Sequence, residues 1–504
     1  MLMPQERRDW VEALALAALA AALLLPNLGS VYLWQDEAQT ATISRTILES
    51  GIPRGTDGRN FFSQEIGKEY GPDHVWKWHT WLSFYLTAAS FALLGETTVA
   101  ARLPFALLGI ATVVLTYFMG QALWRHRLSA LIGAGLLATS VPFLIFNRQC
   151  RYYAAVSFLS MLGIYAYTRI RPNSRAAAWW MFAAATLVFH THFIYCAILL
   201  VTAALHATIF ERSKLRSVVG VVCGTALVNA PWVIWFSDIR PGGDSYFSTV
   251  FDLAKLGGYS LRYFDLIAQW LFRPWWLIIP VLLIAWRWRR REDLWGISRE
   301  TSNGVALMAV YAIVSVGILS ALSPLVFYRY LAPLCVPAML MAGLLVGNLA
   351  KRSVVSSVVI GAVWLSTGGL REHLFELTHE FDGPIEGIVR FLDENARPDD
   401  VVAISYGDLP LKFYTDLRII GGLTGESLDP AQTADWIIIR RHTNTHEDRR
   451  VKRKLREIVA KGDYRPRRIA APDTQFENRE TPRLHRFRTA PEDTPRVVIY
   501  ERRT

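Results

Sequence analysis

Twelve apolar runs, most of them about 17 to 24 residues long, alternate with short charged packets over the first 370 residues of this 504-residue chain. Helices of that length cross the roughly 30 Å hydrocarbon core of a bilayer, where each backbone N–H and C=O must be paired within its own segment. With 52% hydrophobic and only 19% charged residues, the composition excludes an ordinary soluble enzyme. The first run, from about residue 11 to 33, follows Arg7 and Arg8 and is long enough to be an uncleaved first span rather than a signal peptide. The sequence therefore predicts a multi-pass α-helical membrane protein.

The formal charge of +11 does not indicate a nucleic-acid partner. From Arg371 onward the chain carries 24 basic and 24 acidic residues, so the whole excess, 30 against 19, lies among the apolar runs. There it is divided into packets and offers no continuous basic face to a phosphate backbone. The four cysteines (Cys150, Cys196, Cys223 and Cys335) lie in or beside apolar segments with neither C-x-x-C pairing nor histidines at ligand spacing, so neither a disulfide framework nor a structural zinc is expected.

The positive-inside bias selects a topology. If the run 79–95, which opens on the polar Trp78-His79-Thr80, lies along the interface, six packets from Arg7/Arg8 to Lys351/Arg352 all become cytoplasmic. The first outer loop, 34–98, then carries five basic and eight acidic residues, as an outside loop should. This gives about eleven spans with the N-terminus inside. It also divides the chain into a membrane domain, 1–370, and a soluble extracytoplasmic domain, 371–504. Twelve spans would instead place the tail in the cytoplasm and the arginine packets outside. In the tail, a helical pattern at 385–395, strands at 401–405, 435–440 and 497–500, and a further helix and strand between the first two indicate a small α/β domain. Residues 441–496 are too charged and proline-rich to assign.

On the outer side the polar residues converge. Asp36 and Glu37 open a helical run just beyond the first span, where the helix dipole favours an anion fit to act as a general base or metal ligand. The same pattern also fits a capping Asp beside a solvated Glu. Arg148 and Arg151, in the loop that continues into Tyr152, run against the charge bias, which phosphate binding or lipid headgroups would explain. Arg329, beside Tyr330, is either a third phosphate ligand or a snorkelling anchor. His79, His190 and His192 complete the outer set. Two histidines at i and i+2 share no helix face, so a metal pair is a weaker reading than hydrogen bonding to substrate or packing. The loop 238–273, with Gly242-Gly243 and Gly257-Gly258, has the composition of a lid.

These residues resemble the GT-C superfamily of lipid-phosphate-dependent glycosyltransferases, in particular the family that holds protein O-mannosyltransferases and lipid A aminoarabinose transferases. The likeness is carried by LWQDEAQTATISRTILESG (33–51), WHTWLSFYLTAASFALLGETTVAARLPFALLG (78–109) and FYRYLAPLCVPAML (327–340). More faintly, YGDLPLKFYTD (406–416) is similar to the start of the outer domain in oligosaccharyltransferase catalytic subunits. The resemblance implies a GT-C fold and a polyprenyl-phosphate-linked sugar donor. It also implies an acceptor lipid, glycan or protein, Asp36 as the catalytic acidic residue with Glu37 beside it, and Arg329 holding the donor phosphate. Arg148 or Arg151 would assist with the phosphate, while Tyr152, Tyr330, His79, His190 and His192 would line the substrate site. The second outer loop lacks the acidic residue many members carry, leaving a divalent metal as an option without a defined ligand set. The expected setting is the bacterial inner membrane with the tail in the periplasm. Transfer of an oligosaccharide from a lipid-pyrophosphate carrier, and a non-catalytic transporter or assembly role, are the alternatives.

Overall fold

The computed structural model describes residues 7–171, 174–237, 253–272, 298–323, 325–351, 353–367, 369–380, 382–441, 446–474 and 494–503. The apolar run 274–288 and the first part of the expected lid, 238–252, lie outside them. Within them the first 367 residues are mainly helical, with the segment 51–81 between α2 and α3 the chief exception. Helix α1 (Arg7–Leu24) stops ahead of Pro26, short of the expected run to residue 33. It is followed by α2 (Gln35–Ser50), α3 (Leu82–Leu94), α4 (Thr98–Trp124), α5 (Arg127–Ala138), α6 (Val141–Asn147), α7 (Tyr153–Thr168), α8 (Ala176–Thr191), α9 (Phe193–Ile209), α10 (Leu215–Ser237), α11 (Leu253–Leu266), α12 (Arg299–Leu322), α13 (Cys335–Ala350) and α14 (Val354–Thr367).

Four of the described stretches are long and apolar enough to cross a membrane: α4, 212–236 around α10, α12 and 328–350 including α13. The count rises to six if each of two bent pairs is one span: α5 with α6, bent by 61°, and α14 with the helix after it, bent by 52°. Helices α3, α7, α8 and α9 are apolar but shorter. With 13 residues, α3 is about 20 Å long, too short to span a bilayer core unaided and suited to the interface.

The bundle packs on α4, whose buried face meets α1, α5 and α7. Helices α5 and α13 cross where neither has a side chain: a Cβ on Gly343 would stand 2.5 Å from the backbone of Gly133. Close approach through small residues is how apolar helices gain contact where no hydrophobic effect drives them together.

After α15 (Leu370–Thr378), which hydrogen-bonds to the end of α1 through His373 Nε2 and the Leu23 carbonyl at 2.9 Å, an α/β domain begins. It comprises α16 (Pro384–Asn395), β1 (Val401–Ile404), α17 (Asp408–Tyr414), β2 (Arg418–Gly421), β3 (Trp436–Ile438), α18 (His446–Lys461), β4 (Tyr464–Pro472) and β5 (Arg496–Arg502). The sheet order is β2-β1-β3-β5-β4, parallel across the first three strands and antiparallel across the rest. Alternation divides its side chains: Val402, Ile404, Ile419 and Ile438 pack under α16, while Ala403, Ile420 and Ile437 pack under α18.

Candidate functional site

The chain leaves α1 in an irregular segment, 25–34, and turns into α2 at Trp34, whose extended backbone sets the helix start without a side-chain cap. Asp36 is thus the second residue of a helix whose first N–H groups have no intrahelical acceptor, a position that favours negative charge. Two arginines from distant parts of the chain flank it. Arg329, on the 3₁₀ turn Tyr328–Leu334 ahead of α13, brings Nη1 to 3.2 Å from Asp36 Oδ2. Arg151, in the loop between α6 and α7, brings Nη2 to 3.7 Å from the same oxygen and donates through Nη1 to Thr40 Oγ1 at 2.9 Å. Arg329 also lies over the rings of Phe327, at 4.3 Å, and Trp34, at 5.7 Å.

Aromatic and neutral polar groups surround this cluster. The Tyr152 ring stands 4.7 Å from that of His192, and Tyr195 hydroxyl donates to the Tyr330 carbonyl at 2.8 Å. Burial, reinforced by Arg151, holds His79 well below the ordinary histidine range and His192 down to about 3, so both rings are neutral. Trp34 Nε1, His79 Nε2, Arg151 Nε, His192 Nδ1 and both side-chain heteroatoms of Gln149 are buried without a hydrogen-bond partner among the described residues. Buried polar atoms are normally paired, so such a collection beside a carboxylate and two arginines marks where a polar ligand would complete them.

Of the expected site residues, Asp36, Arg151 and Arg329 are brought into direct contact, with Tyr152, Tyr330, His79 and His192 around them. Three others are placed elsewhere. Glu37 is fully buried and pairs with Arg102 instead. Its carboxylate accepts from Arg102 Nε at 2.8 Å and Nη2 at 2.7 Å, and from the Cys150 N–H at 2.7 Å. Arg148 donates to the carbonyls of Leu24 at 2.7 Å, Pro26 at 2.9 Å and Asn27 at 3.3 Å, closing the C-terminal end of α1 rather than facing Asp36. His190, in the last turn of α8, packs edge-on against Trp232 with ring centres 5.1 Å apart.

Arg102, the partner of Glu37, was not among the expected site residues. A charged side chain at the head of an otherwise apolar helix requires a partner, and that requirement was the available signal. It also donates to the carbonyls of Leu28, Val31 and Tyr32, and so fixes the segment leading to Asp36. Among the described residues no three His, Cys, Asp or Glu side chains are grouped to hold a metal ion, and the two guanidinium groups beside Asp36 oppose one electrostatically.

A helical bundle followed by a small mixed sheet is a fold that this chain shares with several solved structures. No family model matches the sequence, and no curated protein matches it. Among solved structures the chain is similar to ArnT from Cupriavidus metallidurans bound to undecaprenyl phosphate, with a TM-score of 0.65 at 14% identity over 98% of both chains. It is also similar to the apo form of the oligosaccharyltransferase from Archaeoglobus fulgidus, with a TM-score of 0.54 at 10% identity over 94% of this chain and 75% of the other. A third is archaeal AglB from Archaeoglobus fulgidus in complex with an inhibitory peptide and a dolichol-phosphate, with a TM-score of 0.50 at 11% identity over 82% and 64%.

Proposed function

We propose that this chain is an integral-membrane glycosyltransferase that moves a sugar from a polyprenyl-phosphate-linked donor to an acceptor hydroxyl on the outer face of the membrane. The observation that carries this reading is Asp36 held between Arg151 and Arg329 at the end of an apolar bundle. Two fixed guanidinium groups match a phosphate, and an apolar carrier accounts for placing the site at a membrane. The undecaprenyl phosphate bound to ArnT and the dolichol-phosphate bound to AglB, on the same fold, support a lipid-linked donor.

The reaction is direct displacement with inversion. Asp36 accepts the proton of the acceptor hydroxyl, whose oxygen forms a bond to the anomeric carbon as the bond to the phosphate oxygen breaks. The lipid phosphate leaves with that electron pair, and its growing charge is met by Arg329 and Arg151. The uncharged His79 and His192 and the amide of Gln149 offer hydrogen bonds to sugar hydroxyls. In this reading the N-terminus is cytoplasmic and the α/β domain lies outside the bacterial plasma membrane, the orientation that the positive-inside bias favours.

The test is transfer of radiolabelled sugar from a panel of polyprenyl-phosphate donors in membranes carrying wild type, Asp36→Asn or Arg329→Ala. Label transferred by wild type and lost in both variants supports the assignment. Equal label in all three removes these residues from the reaction.

A further inference from the structure

The segment YGDLPLKFYTD (406–416) of the α/β domain is absorbed by none of the steps above, yet its side chains reach the backbone that leads into Asp36. Asp408, at the start of α17, is fully buried and accepts from Gln35 Nε2 at 2.8 Å. Its other oxygen pairs with Lys412 Nζ at 2.7 Å, and Lys412 in turn donates to the Phe61 carbonyl of the first outer loop at 2.7 Å. Space is reserved for this carboxylate: a Cβ on Gly422, whose φ is +66°, would stand 2.0 Å from Asp408 Oδ1. At the far end of α17, the Tyr414 hydroxyl accepts from the Leu33 N–H at 2.8 Å and shares a hydrogen bond with Thr98 Oγ1 at 2.6 Å. Its ring stacks on Tyr32 at 3.8 Å. Glu386 of α16 accepts from the Tyr32 N–H at 2.8 Å.

Three of the four residues before Asp36 are therefore tied to the soluble domain: Tyr32 through Glu386, Leu33 through Tyr414 and Gln35 through Asp408. The fourth, Trp34, faces Arg329 and supplies no side-chain cap to α2. A helix start lacking a local cap owes its position to whatever holds the chain ahead of it. A fully buried ion pair such as Asp408–Lys412 is weak as a source of stability, because desolvation offsets its attraction, and is better understood through what it orients. Reaction geometry is far less tolerant than folding: a displacement of about 1 Å is enough to cost about a hundredfold in rate.

We propose that Asp408, Tyr414 and Glu386 are positioning residues for Asp36, so that the α/β domain is a working part of the transfer site. This rests on Asp36 having the role given above. The experiment uses full-length protein in membranes, with kcat and the donor KM measured for wild type, Asp36→Asn, Tyr414→Phe and Gln35→Met. Tyr464→Phe is the control, because it removes a hydroxyl that donates to the Ala434 carbonyl inside the same domain, away from α2. Tyr414→Phe keeps the ring stack and Gln35→Met keeps the side-chain length, so both leave the packing in place.

The expected result is a fall in kcat of about tenfold or more in both, with donor KM within about twofold of wild type and kcat unchanged in Tyr464→Phe. If both variants keep wild-type kcat while Asp36→Asn is inactive, the positioning role is wrong and the transfer reaction stands. A rise in KM at constant kcat, or an equal loss in Tyr464→Phe, also overturns it, because the contacts would then serve binding or general domain stability. Absence of transfer by wild type from every donor overturns the underlying reaction and this role with it.

Discussion

Arg102 holds Glu37 through two nitrogens, at 2.8 and 2.7 Å, with both side chains buried at the junction of α2, α4 and the loop before α7. Neighbouring carboxylates on one helix thus divide the work: Asp36 turns to the arginines of the site, and Glu37 ties the site's helix to the bundle. Removing one member of such a pair strands the other charge in a buried place, a loss of about 3–5 kcal/mol. Glu37→Gln is therefore expected to lower the thermal midpoint of the detergent-solubilised protein far more than Asp36→Asn, as followed by size-exclusion recovery after heating. Equal midpoints would refute the division.

Arg148 and Arg151, three residues apart, are expected to differ in kind. Arg151→Ala should reduce transfer by about 10²–10³, the loss typical when one charge-stabilising donor is removed. Arg148→Ala opens the end of α1 and should lower thermal stability while leaving the donor KM unchanged. Kinetics and melting curves on the two variants separate these outcomes, and a donor KM that rises in Arg148→Ala would return that residue to the phosphate site.

The α/β domain should lose stability as the pH rises through neutrality. Burial pushes the carboxyl of Glu386 up to about 7 from an ordinary 4.5, against the opposing Tyr32 N–H, and does the same to Glu69 in the segment between α2 and α3. A carboxyl with a raised folded-state pKa binds its proton more tightly when folded. Its stabilisation is complete below about 4.5 and disappears as the pH climbs through about 7. Glu386→Gln should therefore melt close to wild type at pH 5 and above it at pH 8. Melting curves of the two that fall in parallel over that range would contradict the assignment.

Gly343 is predicted to reject any side chain, since even a Cβ would stand 2.5 Å from the Gly133 backbone where α13 crosses α5. Gly343→Leu should abolish recovery of folded protein from membranes, whereas the same substitution at Gly135, where nothing lies within 4 Å, should be tolerated. Fluorescence-detected size exclusion on tagged variants checks both.

The helical membrane domain and much of the sheet were legible in the sequence because both rest on periodicity: long apolar runs in one, alternating Val and Ile in the other. Asp36 was legible as an acidic residue opening a helix just beyond the first apolar run, and Arg151 and Arg329 as arginines at the ends of apolar runs where the positive-inside bias expects few. The separate roles of Asp36 and Glu37 were not, because one residue along a helix turns the side chain by about 100°, and only tertiary packing shows which direction meets Arg102. Nor was the difference between Arg148 and Arg151, whose directions are set by an irregular loop. In the tail, α18 hid its apolar stripe of Val451, Leu455 and Ile458 among charges, and the edge strand β4 hid its alternation behind Pro466 and three arginines.

The central claim is that Asp36 acts on the acceptor while the arginines hold the donor phosphate, so binding and transfer should separate at this one residue. The most direct measurement is donor binding and sugar transfer in parallel on wild type and Asp36→Asn, using the polyprenyl-phosphate donor that wild type consumes. The account predicts that Asp36→Asn binds the donor at least as tightly as wild type, having lost a carboxylate that competes for Arg151 and Arg329, and transfers no sugar. Transfer by Asp36→Asn at the wild-type rate would contradict it.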